Sequence, residues 1–130
     1  MAPRLLSMLV VEDDQWVGDV VVRGFTPEGH KVDVAANGRE GLDKFCKSQY
    51  DVVITDRAMP EMSGYELAAA IRMSNPSVPI IMLTGFADAM GPQGKHPSDI
   101  DRVVGKPVTL ARLREIVFDV VRQGRNPARQ

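Results

Sequence analysis

The chain has 130 residues, 44% of them hydrophobic and 25% charged, and its formal net charge is −1. That length fits one domain with a real core, and the near-neutral charge excludes an electrostatic grip on nucleic acid or on an anionic membrane. A lone cysteine, Cys46, excludes an internal disulfide and fits a reducing, cytoplasmic setting.

Taken in order, the N-terminal stretch carries one arginine and a short apolar run broken by Ser7. It is too short for a membrane span and lacks a small-residue cleavage site, so we expect no membrane association. Leu5 to Val11 is a short apolar run that stops at Glu12, Asp13 and Asp14, as a strand buried on both faces would. Val17, Val20, Val21, Gly24 and Phe25 then recur at spacings of three and four, one face of a helix. Asp14 reads as a helix-start residue. Thr26, Pro27 and Gly29 end that helix.

Lys31 to Ala36 alternates like a strand nearer a sheet edge. Asn37, with Glu40 three residues on, resembles a capping box. In the helix that follows, Leu42, Phe45 and Cys46 share a face, so Cys46 is expected to pack in the core. Val52 to Thr55 is a third apolar run, and it delivers one carboxylate, Asp56, to its end. Ser63 and Glu66 begin a helix carrying Leu67 and Ile71.

Ile80 to Leu83 is a fourth strand, ending at Thr84. Beyond it, Gly91, Pro92, Gly94 and Pro97 fall within seven residues, a composition that forbids a long regular helix. A short or irregular fourth helix is therefore expected between Phe86 and Asp101. Arg102 to Gly105 is a fifth, short strand followed by Lys106 and Pro107. Thr109 caps a last helix with a clean apolar face of Leu110, Leu113, Ile116, Val117, Val120 and Val121, and Gly124 stops it. His30 and His96 sit in turn-like contexts and read as solvent-facing. Met59 and Met62 read as lining or packing the loop after Asp56, and Trp16 as a surface residue beside the acids.

Strands alternating with helices argue a single doubly wound α/β domain with a five-stranded parallel sheet. All C-terminal strand tips of such a sheet lie along one edge, so Glu12, Asp13, Asp56, Thr84 and Lys106 can converge there. Three neighbouring carboxylates repel unless a cation neutralises them, and hard oxygen ligands with room for water suit Mg²⁺. A carboxylate can attack phosphorus to form an acyl phosphate. Thr84 and backbone N–H groups near Gly85 are suitable donors for phosphoryl oxygens, and Lys106 supplies a point charge.

The motifs LVVEDD (residues 9–14), DRAMPEMSG (56–64), LTGFAD (83–88) and GKP (105–107) together resemble the receiver domain of two-component response regulators, of the chemotaxis-regulator kind. The resemblance implies the flavodoxin-like strand order 2-1-3-4-5, the order known for receivers of that kind. It implies one receiver domain over residues 1–122 and a disordered tail over 123–130. It implies that Asp56 is the phosphoacceptor and that Asp13, Asp56 and the backbone carbonyl of Ala58 ligate Mg²⁺, with Glu12 holding the metal through water. Thr84 is then the switch hydroxyl and Lys106 the phosphate-binding lysine, with Pro107 in a cis bond. The implied donor is a histidine kinase or a histidine phosphotransfer protein. The chain would be a stand-alone regulator or a receiver from a hybrid kinase, a monomer or weak dimer without direct nucleic-acid binding. It would catalyse only its own phosphorylation and dephosphorylation.

Two departures stand out. The family's usual aromatic switch residue, three positions before the lysine, is Val103 here. The segment between Thr84 and Lys106 is rich in Gly and Pro where part of the family's output surface should be. The alternative reading, an aspartyl-phosphate phosphatase of the haloacid dehalogenase type, wants a second aspartate two residues after the nucleophile. Alanine, Ala58, stands there. A flavin or nucleotide carrier on the same fold lacks its Gly-rich loop after the first strand.

Overall fold

The structure is a computed structural model that describes residues 5–85 and 98–124. Five strands, β1 (Ser7–Val11), β2 (Lys31–Ala35), β3 (Val52–Asp56), β4 (Ile80–Thr84) and β5 (Arg102–Gly105), form one parallel sheet in the order β2-β1-β3-β4-β5. This is the expected order, with β2 at an edge. Among the described residues, four helices accompany it: α1 (Gln15–Phe25), α2 (Gly38–Lys47), α3 (Gly64–Ser74) and α4 (Leu110–Gln123), with a short 3₁₀ turn at Thr26–Glu28. The expectations for the segment after β4, for His96 and for the end of the tail fall on residues 86–97 and 125–130, outside the described residues.

Successive strand side chains point to opposite faces, and the two cores follow that parity. Met8, Val10, Val52, Ile54, Ile81 and Leu83 pack beneath Val21 and Phe25 of α1 and Leu113, Ile116, Val117 and Val120 of α4. Leu9, Val11, Val53, Ile80 and Met82 face the other way, against Phe45 of α2 and Leu67, Ala68 and Ile71 of α3. Each such fully buried side chain contributes about 1.5–3 kcal/mol, so the central strands are the most firmly held part of the fold.

The helix starts are as the sequence predicts. Asp14 is the N-cap of α1 and accepts from the Trp16 N–H, Asn37 caps α2, Ser63 and Glu66 form a reciprocal capping box on α3, and Thr109 caps α4. A cap of this kind contributes about 1 kcal/mol.

Two expectations are corrected. His30 is buried, not solvent-facing: its Nδ1 accepts the Leu6 N–H at 3.0 Å, and the ring lies between Phe25 and Phe118, with centroids at 5.9 and 5.4 Å. An imidazole with a backbone donor and two aromatic neighbours satisfies its polar edge and buries the rest. Cys46 is exposed rather than packed in the core. The line of α2 that meets the sheet is Gly38, Gly41 and Phe45. The helix sits so close at Gly41 that an added Cβ would lie 2.6 Å from Val11 Cγ2. Cys46, one step of about 100° round from Phe45, is turned away.

Arg72, at the end of α3, ties three connections together. Its guanidinium donates to the Asn75 and Val78 carbonyls at 3.2 and 2.6 Å, to the Asp99 carbonyl, and to Asp101 Oδ2 at 3.1 Å. Asp101 also accepts the Ile80 N–H at 2.8 Å. The planar fork of arginine suits such multiple, fixed acceptors. Arg72→Ala would leave a largely buried carboxylate and several carbonyls without this donor. The expected loss is about 3–5 kcal/mol in urea denaturation, and a loss below about 1 kcal/mol would show that the network is ornamental.

Candidate functional site

Parity also builds the site. Glu12 follows Val10, Asp56 follows Ile54 and Lys106 follows Val104, each two residues on, so all three continue the α1–α4 face of the sheet past or at the strand tips. Registers align those tips. Asp56 pairs with Leu83 and Thr84 with Gly105, while the Glu12 N–H extends the β1–β2 ladder to the Ala35 carbonyl at 3.0 Å.

The side chains meet. Lys106 Nζ is 2.9 Å from Asp56 Oδ1 and 3.1 Å from Glu12 Oε1. Carboxylate oxygens of Glu12, Asp13 and Asp56 all lie within 4.8 Å of one another. Glu12 and Asp56 are buried, Asp13 is exposed and Lys106 is half-buried, so one side of the cluster is open to water. Glu12 Oε2 also accepts the Asp14 N–H at 3.2 Å. Asp14 stays out of the cluster and caps α1, as its sequence position suggests.

Burial pushes the Glu12 carboxyl up, with the Asp56 charge adding to it and the Asp14 N–H and Lys106 opposing. For Lys106 burial pulls down, but the hydrogen bonds and charges of Asp56 and Glu12 outweigh it and its ammonium is held above the usual lysine range. Among the described residues the cluster sets three carboxylates around one ammonium, and such a hard, oxygen-rich, partly hydrated set is suited to a divalent cation such as Mg²⁺.

Thr84 lies on the strand next to Asp56, one residue past its paired neighbour. It is 1% exposed, and its hydroxyl has no hydrogen-bond partner among the described residues. Ala58 is exposed two residues beyond Asp56. Trp16 is 73% exposed, and Met59 and Met62 pack at the border of the second core, both as expected. The Lys106–Pro107 bond is cis, as the resemblance implies.

Gly64 has a role that the motifs do not announce. A Cβ there would lie 2.3 Å from the Asp56 carbonyl oxygen and 2.9 Å from Met82 Cε, while the Gly64 N–H donates to the Arg57 carbonyl at 2.8 Å. The first turn of α3 is therefore pressed against the backbone of Asp56. The signal for it in the sequence is a glycine opening a helix eight residues after a strand-end acid.

The family model for the response regulator receiver domain matches residues 8–118. Among curated proteins, the chain is 31% identical over 121 residues to the transcriptional regulatory protein PcoR of Escherichia coli, covering 93% of this chain and 54% of that one. It is 32% identical over 117 residues to the response regulator ArlR of Staphylococcus aureus, covering 87% and 53%. The chain thus spans about half the length of the curated relatives it matches. Among solved structures, a receiver domain protein of Clostridium thermocellum superposes with a TM-score of 0.82 at 27% identity, over 92% of this chain and 96% of that one. The response regulator TrrA of Thermotoga maritima, solved with Mg²⁺ and BeF, superposes with a TM-score of 0.76 at 33% identity, over 87% and 96%.

Two outcomes follow from the geometry. Gly64→Ala should force α3 and the Asp56 backbone apart, lowering stability by about 1–3 kcal/mol; an unchanged denaturation midpoint would show that the contact relaxes freely. Glu12 has a raised folded pKa, so the folded state holds its proton longer than the unfolded chain. The stability this gives is full below the ordinary carboxylate range and is lost as pH rises through the folded value. In metal-free buffer, Glu12→Gln should therefore gain stability relative to wild type as pH rises from about 4 to 7, read from urea midpoints. A difference that shrinks with pH would reverse the sign.

Proposed function

Because the chain belongs to the response regulator receiver domain family, we propose that it accepts a phosphoryl group on Asp56 with the help of Mg²⁺ and passes the event on by a change of conformation. The donor is a histidine kinase or a histidine phosphotransfer protein. The observation that carries this reading is the Asp56 carboxylate at the sheet edge, held by Lys106 Nζ at 2.9 Å and ringed by the carboxylates of Glu12 and Asp13 within 4.8 Å.

Asp13 and Asp56, with the Ala58 carbonyl, would hold the metal, and Glu12 would hold it through water. Bound there, Mg²⁺ neutralises the carboxylates and the charge on the transferring phosphoryl oxygens. An Asp56 carboxylate oxygen attacks phosphorus, the P–N bond to the donor imidazole breaks, and the ring leaves with that electron pair. Lys106 holds one side of the acceptor carboxylate before transfer and supplies charge to the phosphoryl group after it. The Thr84 hydroxyl, unpartnered among the described residues, supplies a donor for a phosphoryl oxygen. Because this chemistry acts on the chain's own side chain, the reading is of a signalling module and not of a turnover enzyme. Residues 1–122 form the receiver unit in this reading, and the regulator's output and localisation lie with whatever the receiver contacts.

Incubation with acetyl phosphate and Mg²⁺ should add one phosphoryl group, seen by intact mass, and chelation of the metal should prevent it. Asp56→Asn should remain unlabelled; persistent labelling of that variant would sink the assignment. Lys106→Met should keep the acidic cluster but slow labelling by about two orders of magnitude or more, the size expected for one lost electrostatic contact to the transferring group.

A further inference from the structure

A cavity of about 410 Å³ borders the site on the α1–α4 side, lined by Trp16, Val17 and Val20 of α1, Leu83 of β4, Lys106, and apolar residues of the connection to α4 and its first turn, Val108 and Leu110 among them. That volume lies within the range of small-molecule sites. We propose that this cavity binds a small, uncharged aromatic molecule, and that its occupancy is linked to the state of Asp56 through Lys106.

The wall chemistry selects the class. Apart from Lys106, the lining side chains are apolar or aromatic, and the Lys106 ammonium is already paired with Glu12 and Asp56. Among the described residues the wall thus offers no free charge to an ionised ligand, which would lose its hydration without compensation. The neighbouring field disfavours anions further, since Glu12, Asp13 and Asp56 set three carboxylates against that one ammonium. Trp16, 73% exposed at the edge of the cavity, presents a large aromatic surface against which a planar ring can pack in an offset or edge-on way. Leu83, 2% exposed, closes the floor.

Lys106 gives the linkage. It lines the cavity, and its Nζ contacts Asp56 at 2.9 Å. A group added to Asp56 must rearrange the Nζ contacts and hence the cavity wall, and by reciprocity a ligand in the cavity must shift the equilibrium at Asp56. This second half rests on the phosphoacceptor reading; the binding itself does not.

Trp16 is the lone tryptophan of the chain, so energy transfer from it to a bound probe reports this cavity. Titration with N-phenyl-naphthylamine should give saturable, one-to-one transfer, and its sulfonated analogue, anilinonaphthalene sulfonate, should bind about tenfold more weakly or worse. Val20→Lys and Val108→Lys, both at half-buried positions, should lose the transfer while keeping the wild-type circular dichroism. Asp56→Asn should still bind the probe. Acetyl phosphate with Mg²⁺ should shift the probe's affinity in wild type and leave it unchanged in Asp56→Asn. A wild type that binds the probe but takes no phosphoryl group would remove the phosphoacceptor reading and leave the site standing. No saturable transfer in wild type, tighter binding of the sulfonate, or undiminished binding by both lysine variants would overturn the site. So would a cavity indifferent to both probes whose α1 amides are protected from hydrogen exchange only by a phosphodonor protein, which would assign the face to protein docking.

Discussion

One ammonium between two carboxylates organises the active edge of this sheet. Lys106 stands 2.9 Å from Asp56 and 3.1 Å from Glu12, three groups from three strand ends that are far apart in sequence. Two buried acids next to one another repel, and burial already pushes the Glu12 carboxyl up. Lysine from the end of β5 compensates part of that repulsion and is itself held charged by the pair. The arrangement requires β1, β3 and β5 to end at one level, and the parallel registers provide it. A one-residue slip of any of these strands would send its charged group to the opposite face.

The two cores fix those registers. Met8 and Val10 must lie under α1 and α4, and Leu9 and Val11 under α2 and α3. A slipped strand would exchange the two sets and lose complementary packing on both sides at once. The charged edge is thus held by apolar burial that has no chemistry of its own. Gly64 adds a local constraint: the first turn of α3 rests against the Asp56 carbonyl, leaving no room for a Cβ. Arg72 does the same service at the opposite end of α3, fastening the entries to β4 and β5. The residues that build the edge are mostly not the ones that act at it.

Much of this is legible in the sequence, and the exceptions have physical reasons. Strand runs, caps and the strand-end groups Glu12, Asp13, Asp56 and Lys106 are local patterns, and a parallel topology brings them together by a general rule. A histidine in a turn looks exposed, but the burial of His30 depends on Phe118, which is distant in the chain, and on a backbone donor, Leu6, that no side-chain pattern reveals. Cys46 shares the helical period of Leu42 and Phe45, whereas close approach of α2 at Gly41 sets which line faces the sheet. Arg72 carries no motif; its partners are mostly carbonyls, and carbonyls are invisible to sequence reading.

Thr84 shows how such an edge can change state. Its hydroxyl is buried and has no partner among the described residues. A phosphoryl oxygen on Asp56 would give that hydroxyl an acceptor and at the same time draw Lys106 from its contact with Glu12. Under the phosphoacceptor reading, the added group disturbs the ion pair that Lys106 makes with Asp56 and Glu12. Interactions of about 1–3 kcal/mol shift an equilibrium about 5- to 150-fold. Val103, rather than an aromatic ring, lies on β5, so under that reading no aromatic ring three positions before Lys106 is there to rotate.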